Sequence, residues 1–153
     1  MYSNKEASAI RQKFWLSFGM YMLPIPSATQ EKVNWVNYKT GIKGITFKME
    51  ADKESAIVVV EIFLNDTMLQ HQYFKIFNNF VIQFESFVGD GWQFNCDNFN
   101  SHKEDVSRIG IRLKNVNIFR EENWPEMITF LKQHMISLDA FWAEYKPAFE
   151  LFN

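Results

Sequence analysis

In the last third of the chain, Trp124, Ile128, Leu131, Met135, Leu138, Trp142, Tyr145 and Phe149 recur in alternating steps of four and three. That spacing puts all of them on one seam of a single long helix. Asn123 with Glu126 reads as a capping box at its start, with Pro125 in the first turn, where a missing N–H costs little. Pro147 should end or kink it near Lys146, leaving 148–153 as a separate turn.

The same reading runs back along the chain. Ser3 with Glu6 predicts a capping box, and Ala7, Ile10, Phe14, Phe18 and Tyr21 follow helical spacing until Pro24. From Gly44 to Glu50, Ile45, Phe47 and Met49 alternate with Thr46, Lys48 and Glu50, which predicts a half-buried strand. Ser55 to Phe63 is apolar on both faces and suits an interior strand. Asn65 or Asp66 caps a second helix that runs to about Val88, with Leu69, Tyr73, Ile76, Phe77, Phe80, Phe84 and Phe87 as its buried stripe. Trp92, Phe94 and Cys96 alternate as a third strand. Ile109, Ile111 and Leu113 alternate as a fourth and slip at Asn115.

The expected architecture is α+β in the order α-β-β-α-β-β-α. Its mainly antiparallel four-stranded sheet carries helices on one face, within a single domain over 1–153. A chain of 153 residues with 47% apolar and 22% charged residues is long enough to bury a core. Cys96 is the only cysteine, so no intramolecular disulfide forms, which fits a reducing cytoplasm. The apolar run Phe14 to Ile25 follows Arg11 and Lys13, but it is too short to span a bilayer and is followed by no cleavage site. It reads as the end of a core helix, and no membrane partner is expected.

Charge changes the picture more. The net charge is −2. Yet residues 32–49 hold Lys32, Lys39, Lys43 and Lys48 with no acid, and residues 106–120 hold Arg108, Arg112, Lys114 and Arg120 with no acid. If strands 44–50 and 106–114 share a sheet, Lys48, Arg108, Arg112 and Lys114 share its open face. Lys39 and Lys43 then lie at its rim with Trp35 and Tyr38. Aromatics interleaved with lysines stack on bases and neutralise phosphates, or they pack under a loop and snorkel. The candidate binding surface is therefore Trp35, Tyr38, Lys39, Lys43, Lys48, Arg108, Arg112 and Lys114. The competing account is that acids such as Glu50 and Asp97 neutralise this face locally.

Constellations for catalysis are incomplete. Glu50, Asp52 and Glu61 sit on a hairpin suited to a metal-dependent nuclease of the PD-(D/E)-x-K type. Glu61 is followed by Ile62-Phe63, however, and the only Glu-x-Lys is Glu144-Tyr145-Lys146, on a predicted helix. Cys96 and His102 lack the context of a nucleophile pair, and His134 reads as a helix-flank residue. Gly41-Ile42-Lys43-Gly44 lacks the spacing of a phosphate loop. No catalytic residue, metal ligand or cofactor motif is assigned.

Asn34-Trp35, Tyr38-Lys39-Thr40-Gly41-Ile42-Lys43 and Val116-Asn117-Ile118 through Glu122-Asn123-Trp124-Pro125-Glu126-Met127 together resemble the bacterial family called domain of unknown function 4268. Arg11-Gln12-Lys13-Phe14-Trp15 and Leu138-Asp139-Ala140-Phe141-Trp142 fit the same pattern. The resemblance implies no activity. Such domains occur alone or at the C-terminal end of longer chains, some with a nuclease-like region ahead, which suggests DNA-related business. The expected function is a binding module without catalysis of its own, nucleic-acid- or defence-associated. The alternatives are a protein-interaction or oligomerisation module, including association with a second copy of the chain, and a degenerate nuclease.

Overall fold

A computed structural model describes residues 2–94 and 106–152. The sequence expectations for Cys96, Asp97 and His102 fall outside those residues. Helix α1 spans Asn4–Met22. Its capping box forms as expected: Ser3 Oγ accepts from the Glu6 N–H at 3.1 Å and Glu6 Oε1 from the Ser3 N–H at 3.2 Å. It buries Phe14, Phe18 and Met22, so the stripe ends one residue beyond Tyr21, which is exposed beneath Lys132.

Strands β1 (Ile45–Ala51) and β2 (Ser55–Ile62) form an antiparallel hairpin, with Ile45 opposite Ile62 and Ala51 opposite Ala56. Strand β4 (Ser107–Lys114) pairs antiparallel with the other edge of β2, with Ser55 opposite Lys114 and Ile62 opposite Ser107. A short β3 (Gln93–Phe94) closes the order β1-β2-β4-β3. β2 is thus central, which is why it is apolar on both faces. Ala56, Val58, Val60 and Ile62 enter the main core beneath the helices, while Ile57 and Val59 form a separate buried pair on the opposite face.

The helix expected from residue 65 to 88 is two helices. Asp66 caps α2 (Thr67–Asn79), the chain bends at Phe80 (φ −100°, ψ 24°), and α3 (Val81–Val88) follows. The bend has a packing reason: Phe77 stacks on Phe141 at 6.1 Å, and Phe84 meets the same ring edge-on at 5.0 Å. Gly89, at φ +82°, ends α3 where an L side chain would be strained.

Helix α4 (Trp124–Glu150) is the longest element, and Met127, Leu131, Met135, Leu138, Phe141, Trp142 and Phe149 are buried along it. Two details of its ends differ from expectation. Asn123 is helical in backbone and caps nothing. A 3-10 turn at Glu121–Asn123 precedes the helix, and Asn123 Oδ1 accepts from the Asn117 N–H at 2.9 Å, bracing the entry loop. Pro147 does not stop the helix, which continues to Glu150. The residue beyond it, Phe149, packs on Phe77 at 4.7 Å, Trp142 at 5.0 Å and Tyr73 at 5.9 Å. Burial of that ring offsets the lost hydrogen bond. Among the described residues, no helix is long and apolar enough to cross a membrane.

Two outcomes follow from this packing. Leu131→Ala should lower the free energy of unfolding in urea by about 2–5 kcal/mol, because a fully buried side chain leaves a cavity. His134 stands half-buried against Phe130 and Trp92, and burial pushes its pKa down, partly countered by its contact with the Phe130 carbonyl. The unfolded chain takes up this proton near the ordinary value of about 6.5, before the folded chain does. Stability should therefore fall as pH drops below about 6.5, and thermal melts of His134→Gln should show a shallower fall.

Candidate functional site

Alternation and register place Lys48, Arg108, Arg112 and Lys114 on one face of the sheet, opposite the helices, as the basic-surface reading requires. The face is divided, however. Toward one end, Arg108 is buried, with its guanidinium 2.6 Å from Glu61 Oε2 and 3.8 Å from Glu50, and Lys48 Nζ lies 3.0 Å from Glu61 Oε1. These cations are neutralised where they stand, because a buried guanidinium needs a carboxylate beside it. Glu50 and Glu61, candidate nuclease carboxylates, are engaged in these same ion pairs. Among the described residues, no three His, Cys, Asp or Glu gather to hold a metal ion.

Toward the other end, the face opens into a cleft of about 730 Å³. The β1–β2 turn makes one wall: Asp52 Oδ1 accepts from the N–H groups of Glu54 and Ser55, both at 2.8 Å. Strand β4 ends at Lys114, and Asn115, with a φ of 64°, turns the chain back. The chain then lies along the turn, Asn115 N–H donating to the Glu54 carbonyl at 3.0 Å and Ile118 N–H to that of Asp52 at 3.0 Å. This return brings Arg120 to the cleft that Lys53, Arg112 and Lys114 already line, against the acids Asp52 and Glu54. Lys53, Lys114 and Arg120 are exposed and make no ion pair among the described residues. Asn117 and Asn123 each commit Oδ1 to a backbone N–H, which leaves their amide NH₂ groups as donors. The cleft thus offers cations and neutral donors, the chemistry that receives phosphate oxygens.

The two aromatic candidates pack into the main core on the helix side of the sheet. Trp35 is buried and its Nε1–H donates to the Ile25 carbonyl at 2.9 Å. Tyr38 stacks on Phe47 at 5.2 Å, and its hydroxyl donates to Asp139 Oδ1 at 2.6 Å. Neither ring joins the basic face: both pack under the loop, the second of the two readings open to the sequence. Lys39 is exposed beside them at a second cleft, of about 740 Å³, and Lys43 is exposed in the turn before β1.

Asp139 is the polar centre of that second cleft. It is 3% exposed and accepts from Ser27 Oγ at 2.8 Å, the Ala28 N–H at 2.7 Å and Tyr38. Burial pushes the Tyr38 phenol above its ordinary pKa, and the Asp139 carboxylate adds to the shift. Trp142 Nε1–H donates to the Thr40 carbonyl at 2.7 Å. The carboxylate oxygens are occupied by the protein's own donors, so this cluster pins the loop to α4. The signal for it in the sequence was an aspartate beside the apolar seam.

Asp139→Ala strands three donors in a half-dry loop and should cost at least about 3 kcal/mol in chemical denaturation. Tyr38→Phe should cost less. It should also remove an alkaline instability: the folded phenol holds its proton where the unfolded one loses it, so wild-type stability declines as pH rises past about 10.

A family model described as "Domain of unknown function (DUF4268)" matches residues 10–146, and the chain belongs to that family. No curated protein matches the chain, and no solved structure does.

Proposed function

We propose that this member of a family without assigned activity is a nucleic-acid-binding accessory domain that catalyses nothing itself and acts through the cleft at the end of β4. The observation that carries the reading is the convergence of Lys53, Arg112, Lys114 and Arg120 on one open cleft in a chain whose net charge is −2. These four cations outnumber the acids Asp52 and Glu54 in the same lining, and a locally positive cleft attracts a polyanion despite an acidic whole. The reading places the protein in the cytoplasm of a bacterium, in keeping with a single cysteine, and its defence association follows from the family resemblance.

Fluorescence anisotropy with labelled oligonucleotides tests it. Binding should weaken with salt, with a logarithmic slope of about 0.7–0.9 per phosphate contact. Arg120→Glu and Lys114→Glu should weaken binding and reduce that slope while circular dichroism stays unchanged. Lys48→Gln should leave affinity alone, because Lys48 already faces Glu61. Binding that is absent at low salt, or indifferent to Arg120 and Lys114, defeats the proposal.

One feature favours a second reading, a protein-interaction or oligomerisation module. Leu16, Met20 and Leu23 are 63%, 75% and 82% exposed along one side of α1, next to exposed Tyr21. If sedimentation shows a dimer that Met20→Glu dissociates, while oligonucleotides do not bind, this reading replaces the first.

A further inference from the structure

We propose that the nucleic acid received by this cleft is single-stranded, and that one of its bases stacks on a platform built by Tyr2, Phe119 and Arg11. The inference rests on the cleft being the binding site. Phe119 lies between two of the cleft's own residues, Asn117 and Arg120, and its N–H donates to Asn117 Oδ1 at 2.9 Å. The platform is therefore tied to the cleft wall by backbone as well as by sequence.

The platform is layered. The Arg11 guanidinium lies 5.2 Å from the centre of the Phe119 ring, and the Tyr2 ring stacks on Phe119 at 5.4 Å with 29° between planes. Phe119 is half-buried, while Tyr2 is 48% exposed. An exposed tyrosine backed by a second ring is held in place before any ligand arrives, which lowers the entropy lost on stacking. Arg120 lines the cleft one residue after Phe119, and Arg11 is exposed at the platform, so each carries a positive charge next to the Phe119 position.

That combination selects by strandedness. A positively charged groove that tracks a backbone takes any nucleic acid, but an aromatic face beside it takes only a base free to leave its neighbours. In a duplex the base faces are stacked and paired, so the platform has nothing to receive.

The test compares four probes on the full chain: a fluorescein-labelled oligothymidylate, a duplex of the same length, an abasic oligonucleotide with the same number of phosphates, and inorganic phosphate as competitor. Tyr2→Ala and Tyr2→Leu should weaken oligothymidylate binding about fivefold or more, since loss of base–aromatic stacking is of that size. Duplex affinity and the salt slope should be unchanged, because no phosphate contact is lost. The abasic strand should bind wild type about as weakly as oligothymidylate binds the Tyr2 variants. Oligothymidylate affinity unaltered by both substitutions, or a duplex weakened equally, overturns the single-strand inference and leaves the cleft reading standing. Full displacement of oligothymidylate by millimolar inorganic phosphate means that phosphate contacts alone hold the strand, and overturns the stacking inference. Affinity unaltered by Arg120→Glu overturns both readings.

Discussion

Burial of α4 is the constraint on which the rest of the structure depends. A helix of 27 residues with apolar side chains on more than one stripe cannot lie on a surface. Sheet, α1 and the α2–α3 pair each cover part of it. The centre of the contact is aromatic: Phe77, Phe84, Phe141, Trp142 and Phe149 meet one another at 4.7–6.4 Å. Rings of this size bury large areas, and their edge-on and offset contacts add directionality. This cluster explains both departures from local expectation on the helix layer. The α2–α3 bend aims Phe77 and Phe84 at Phe141, and Phe149 draws α4 past a proline.

A helix covered on several sides leaves little room for a charge, and Asp139 shows the condition under which one is kept. Its carboxylate is met by two hydroxyls and a backbone N–H from the connection between α1 and β1. The connection is otherwise irregular, and these bonds together with the Trp35 and Trp142 indole bonds define its path. The aromatic residues among its lysines are therefore load carried inward, and only the lysines stay wet. A buried polar group satisfied by distant donors gives such a loop a specific shape where regular hydrogen bonding does not.

The sheet's second face shows how one set of cations acquires two roles. Arg108 and Arg112 lie four residues apart on the same strand and face. Glu61 stands opposite Arg108 in the register, whereas Ile57 stands opposite Arg112. The first arginine is closed into an ion-pair cluster and the second lines an open cleft. The register gives the two arginines different neighbours on the partner strand. Function, in this reading, lies where the return of the chain after Asn115 brings Arg120 to the cleft lined by Lys53, Arg112 and Lys114.

Local pattern by itself determined the kind and order of the main elements, though not the break at Phe80 or the run of α4 through Pro147. Period-two alternation marked the strands, heptad-like spacing marked α4, the Ser3–Glu6 pair marked the start of α1, and the two-faced apolarity of 55–63 marked the central strand. These follow from near-neighbour physics that any chain with this pattern obeys. The tertiary structure alone decided which of the candidate residues face solvent together. Trp35 and Tyr38 turned inward because Ile25 and Asp139 supplied partners for their polar atoms. Lys48 and Arg108 were neutralised because antiparallel register set Glu61 beside them. Arg120 reached Lys53 only through the turn at Asn115, and Tyr2 reached Phe119 only through the fold. Charge and aromaticity are properties of residues, but a surface is a property of pairs distant in sequence, and register and packing choose those pairs.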